Sequence, residues 1–156
     1  MHLRMTVTGL RMDPATGTPV VVLTDESGVL ALPIWIGTAE AHAIAVQIES
    51  IRLARPLTHD LLGTVVTKLG GELLRVEVND LRDSTFYAAL VVRRESETHI
   101  IDARPSDAIA LAMRTGAPIF VARKVLDNAQ TVSLTKDPWQ QVIESLPESV
   151  YGKYKH

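Results

Sequence analysis

The chain has 156 residues, enough for one domain of ordinary size and too few for a second. At 46% hydrophobic and 22% charged it is globular in composition. A formal net charge of -2, from 16 basic and 18 acidic residues, excludes a polycationic arm, so any electrostatic partner must be met by a local patch. Cysteine is absent, which removes disulfides, thiolate zinc sites and cysteine nucleophiles and leaves carboxylates, histidine and hydroxyls for chemistry.

Residues 7–12 and 20–24 read as strands joined by the turn-forming DPATGTP segment. A second turn, DESG, leads into VLALPIWI at 29–36, an apolar run too continuous for a half-wet strand and therefore buried on both faces, with Pro33 at an edge or bulge. From Thr38, the expected N-cap, the period changes. Ala41, Ile44, Ala45, Ile48 and Ile51 define a helix whose small residues allow close approach of a sheet or of a second copy.

After RPLTHD, Leu61, Leu62, Val65, Val66 and Leu69 form a second helical stripe, capped by Thr58 and stopped by Gly70 and Gly71. Leu74, Val76 and Val78, then Phe86, Ala88, Leu90 and Val92, alternate as an antiparallel hairpin across a turn at 79–84, and a third strand follows at 99–103. Next come a helix at 108–114 capped by Ser106, a stop at Gly116 and a strand at 118–122. Residues 139–146 suggest a last short helix ahead of a frayed tail. RPLTHDLL and RPSDAIAL share one plan, suggesting an internal duplication of a strand–RPxx–helix–strand unit. The expected fold is a single α+β domain with a mixed, mainly antiparallel sheet and three main helices. No run approaches the roughly 18 apolar residues of a membrane span, and the first 13 residues lack an export signal, so a cytoplasmic protein without a membrane partner is expected.

Two segments can carry chemistry. In RPLTHD, His59 and Asp60 sit at a helix N-terminus, where free backbone N–H groups favour an anion and Arg55 could pair with it. The plain structural account is that Thr58 caps, Asp60 complements the dipole and His59 is exposed. In DARPSD, Asp102 and Asp107 flank Arg104, a pattern able to bind a phosphate together with a divalent cation such as Mg2+; a structural cap and ion pair is the plain alternative. Glu40, with His42 two residues on, is a third candidate. Trp35 and Phe86 lie in apolar runs and read as core.

LPIWIGTAEAHAI (32–44), RPLTHDLL (55–62), STFYAAL (84–90) and IDARPSDAIALAMR (101–114) resemble the bifunctional nuclease family, four motifs in the family's order. The resemblance covers residues 1–126 and leaves 127–156 as a C-terminal extension. It implies a nuclease acting on both DNA and RNA, in an α+β domain that pairs into a wedge-shaped homodimer whose groove is the active site. The motif positions carried over are Glu40, Arg55, Thr58, His59, Asp60, Asp102, Arg104, Ser106 and Asp107. In that scheme Arg55 and Arg104, with Thr58 and Ser106, hold substrate. Glu40, Asp60, Asp102 and Asp107 position water or a cation, and His59 is the general acid or base. The rival from another class is a non-catalytic module that binds an anion or a protein in the same groove, favoured by the lack of a basic surplus. A third reading makes the motifs wholly structural.

Overall fold

Three antiparallel strands open the chain: β1 (His2–Met12), β2 (Pro19–Asp25) and β3 (Leu30–Trp35). The computed structural model describes residues 1–129 and 131–133. The DPATGTP turn is locked by Asp13, which is fully buried. Its carboxylate accepts from Ala15 N at 2.9 Å and from the Trp35 indole Nε1 at 3.1 Å. Trp35 is thus core, as its apolar run predicts. β3 is buried on both faces. Among the described residues Pro33, which has no N–H to give, pairs only toward β2, and the strand on its other side, β8 (Val132–Ser133), reaches Leu30 and Ala31.

α1 (Thr38–Ile48) and α2 (Thr58–Lys68) follow, then β4 (Gly71–Arg82), β5 (Thr85–Arg94) and β6 (Glu97–Ala103), α3 (Pro105–Thr115), β7 (Ile119–Ala122) and the short α4 (Arg123–Asn128). The eight strands form one mixed sheet in the order β6-β5-β4-β7-β1-β2-β3-β8. Among the described residues only β4 and β7 pair in parallel, Val76 opposite Ile119. This is the α+β domain with three main helices that the periodicity predicts. α4 and β8 were not expected, and the expected helix at 139–146 lies outside the described residues.

The β4–β5 strands run further than expected. The turn is confined to Asp83 and Ser84, both at positive φ (49 and 61), the geometry whose twist suits a two-residue hairpin. Helix caps also differ. Gly37, Leu57 and Arg104 occupy the N-cap positions, placing Thr38, Thr58 and Ser106 inside their helices. At α3 the reason is Pro105, whose fixed φ and missing N–H suit the first helical turn and push the start back to Arg104.

α3 is the central helix. Ala108, Ile109, Ala110, Leu111 and Ala112 are all buried, against α1, α2, β4 and β5. The alanines let its neighbours approach closely, while Ile109 and Leu111 each contribute roughly 1.5–3 kcal/mol by burial. α1 buries Ala41, Ala43, Ile44 and Val46, so its inner face is rotated from the expected one, and Ile48 and Ile51 are exposed. α2 departs most. Its only buried residue is His59, and of the predicted stripe Leu61, Leu62, Val65 and Leu69 face solvent while Val66 alone packs on the core.

The shared plan of the two RPxx segments extends only from helix into strand. α2 turns through Gly70 into β4 and α3 turns through Gly116 into β7, both glycines in the left-handed region at φ 83 and 74. Ahead of α3 stands β6, but residues 49–57 ahead of α2 carry no strand. Because β4 and β7 are parallel neighbours, the helices feeding them lie side by side with their starts at one end. Among the described residues no helix is long and apolar enough to cross a membrane.

Candidate active site

The first turns of α1, α2 and α3 open on one groove of about 300 Å3, lined by Glu40 and His42, by Leu57, Thr58 and His59, and by Arg104 and Asp107, with Ala39 and Ala43 behind. Each helix brings its positive dipole end and unpaired N–H groups to this end of the molecule.

A continuous polar chain crosses the groove. Arg104 donates through Nη2 to Glu40 Oε1 at 2.6 Å and through Nε to Asp107 Oδ2 at 2.9 Å. The other oxygen of Asp107, Oδ1, lies 2.9 Å from His59 Nε2. Since a carboxylate only accepts, Nε2 carries the hydrogen, so in the neutral imidazole Nδ1 is the basic nitrogen. His59 is buried, contrary to the exposed imidazole of the plain structural account. Arg104 is half exposed, and its Nη1 takes part in none of these bonds. Hydrogen bonds to Glu40 and then Asp107 raise the Arg104 guanidinium above its ordinary range, so it stays charged. With neutral imidazoles the formal charge of the groove side chains is about -1, offset by the three helix dipoles.

The other expected residues lie elsewhere. Asp60 turns from the groove: Oδ2 accepts from Leu57 N at 2.8 Å, half of a capping box, and Oδ1 from Arg114 Nε at 2.7 Å. The Leu57 N–H, opposed by partial burial and then reinforced by Arg114, holds the Asp60 carboxyl below its usual range. Asp102 is exposed on β6, opposite Ala89, and Arg55 is exposed ahead of α2. Ser106 is buried within α3. None of these four lines the groove. Arg114 lies outside RPLTHD and DARPSD, yet it holds Asp60. Its signal is spacing: seven residues after Asp107, two helical turns on, it shares the same face of α3.

A resident divalent cation does not fit this donor set. Among the described residues no three His, Asp or Glu side chains converge as ligands, and both groove carboxylates are turned to a guanidinium.

The family model for the bifunctional nuclease domain matches residues 21–133. An uncharacterised protein of Mycobacterium tuberculosis is 42% identical over 123 residues, 79% of this chain and 73% of its own length. Bifunctional nuclease 1 of Arabidopsis thaliana is 32% identical over 107 residues, 66% of this chain and 33% of the plant protein. Bifunctional nuclease 1 of Oryza sativa subsp. indica is 24% identical over 136 residues, 85% and 41% respectively. The chain therefore spans less than half the length of these plant relatives.

Proposed function

Because the chain belongs to the bifunctional nuclease domain family, we propose that its groove hydrolyses phosphodiester bonds in DNA and RNA. One observation carries the reading. An imidazole oriented by a carboxylate stands beside a guanidinium with a free N–H edge, at a point where three helix N-termini meet. Nη1 of Arg104 would hold a phosphate oxygen, while Nε and Nη2, fixed by Asp107 and Glu40, keep the fork aimed. Asp107 holds His59 in the tautomer whose Nδ1 can take a proton from an attacking water as its oxygen bonds to phosphorus. The same nitrogen, once protonated, can return that proton to the departing oxygen.

The exposed stripe of Leu61, Val65 and Leu69 along α2 supports a homodimer, and Ile48, Ile51 and Leu53 are exposed as well. We place the protein in the cytoplasm. The rival non-catalytic module is favoured by one feature: groove carboxylates outnumber the groove arginine, which weakens anion binding.

The test is turnover of labelled single-stranded DNA and RNA by protein purified in parallel with its His59→Asn variant. Cleavage by the wild type alone is expected. Equal cleavage by both points to a contaminant, and binding without cleavage points to the module.

A further inference from the structure

Arg114 lies in the last turn of α3 with its side chain only 6% exposed. It runs back along its own helix, where Nη1 donates to Ala110 O at 2.9 Å. From there Nε reaches Asp60 Oδ1 of α2 at 2.7 Å and Nη2 reaches Ala43 O of α1 at 3.0 Å. The three donating nitrogens of one planar fork thus bind three helices, and those helices carry Glu40, His59 and Asp107.

α2 needs such a tie. Its only buried residue is His59, and of its apolar side chains Val66 packs on the core while Leu61, Leu62 and Val65 face outward. It faces α3 at Gly63, where a Cβ would stand in ordinary contact, 3.5 Å, with Leu111 and Thr115. On the first turn of α2 the adjacent residues His59 and Asp60 reach two points of one α3 face, Asp107 and Arg114. The contact at Arg114 therefore sets where His59 stands relative to Asp107.

We propose that Arg114 and Asp60 form a positioning pair, outside the groove, that holds His59 in register with Asp107 and the start of α1 in register with Arg104. The proposal rests on the catalytic reading of the groove, and Asp60 then acts through His59 without touching substrate. Lysine cannot replace Arg114, because a single ammonium cannot span three acceptors in one plane.

The experiment compares full-length wild type with Arg114→Met, Arg114→Lys and Asp60→Asn by two readouts. The first is the ring 15N spectrum of His59, which reports the Nε2–H tautomer without any substrate. The second is kcat and KM on single-stranded nucleic acid. In all three variants the tautomer signature of the wild type is expected to be lost. A fall in kcat of about 10²-fold with little change in KM is expected for Arg114→Met, as misplacement by about 1 Å can produce. Arg114→Lys is expected to recover only a minor part. Should Arg114→Met not fold, Asp60→Asn, at a half-exposed carboxylate, decides. Variants that melt earlier but keep the wild-type His59 spectrum and kcat would overturn the proposal, leaving Arg114 a purely structural residue. If the spectrum changes as expected while even the wild type cleaves nothing, the positioning stands and the nuclease reading fails.

Discussion

Nε2 of His59 and Oδ1 of Asp107 lie 2.9 Å apart although 48 residues separate them in the chain. The sheet makes this meeting possible. α2 feeds β4, α3 feeds β7, and the parallel pairing of those strands sets the helices side by side with their starts together. Glu40 joins from α1, 64 residues from its partner Arg104. Chemistry at the groove therefore depends on tertiary register as much as on which residues are present.

Arg104 is the bridge between two carboxylates and the groove, so Arg104→Lys should be far from conservative. We expect kcat/KM to fall about 10²- to 10³-fold, as for loss of an anion-stabilising donor. The melting free energy should change by no more than about 1 kcal/mol, because Arg104 is half exposed and a lysine keeps its charge. Glu40→Gln should be milder, since Asp107 still holds the fork. Steady-state kinetics and denaturant melts on the same preparations check both. Retention of most activity in Arg104→Lys would show that the fork is not used.

The outward face of α2 should be covered in solution. Leu61 and Val65 are 55% and 44% exposed, and in a monomer a charge at either position should alter stability by no more than about 0.5 kcal/mol. We expect wild type to sediment as a dimer and Leu61→Glu or Val65→Glu to sediment as a monomer of unchanged circular dichroism. A wild-type monomer, or variants that remain dimeric, would contradict the assignment.

Acid should loosen α2 through Asp60. Its carboxyl titrates below the ordinary value of 3.8, chiefly because of the Leu57 N–H and then Arg114, so the charged form is favoured in the fold. The stability it contributes is fully present above 3.8 and is lost as the pH falls through the lower folded value. Melting temperatures measured from neutrality down into this range should show wild type above Asp60→Asn at neutral pH and the gap closing under acid. A gap independent of pH would assign the pair no role in acid lability.

The elements themselves were legible in the sequence, because alternation at Leu74 to Val78 and a helical period from Thr38 are local signals. RPLTHD and DARPSD are legible as two candidate segments, but that His59 of one meets Asp107 of the other is not, because it follows from strand pairing far along the chain. Within those motifs, however, Asp60 and His59 look alike as first-turn polar residues, and only the packing of α2 on α3 turns one toward Arg114 and the other into the groove. The exposed stripe on α2 reads in sequence as a core face, since periodicity reports amphipathicity and not what covers it. Caps were misplaced by one or two residues because hydroxyls at Thr58 and Ser106 fit inside a first turn as well as at its boundary. Arg114, on a predicted helix and next to no other candidate, gains its role only from carbonyls and a carboxylate brought from other helices.

The central claim is that the two helix starts make one catalytic unit, and a double-mutant cycle on kcat/KM tests it most directly. His59→Asn and Asp107→Asn would be measured singly and together, on single-stranded RNA and DNA. If Asp107 acts by orienting His59, each single variant should lose about 10²- to 10⁴-fold and the double variant no more than His59→Asn alone. Losses that multiply, or turnover unchanged in either single variant, would contradict the account.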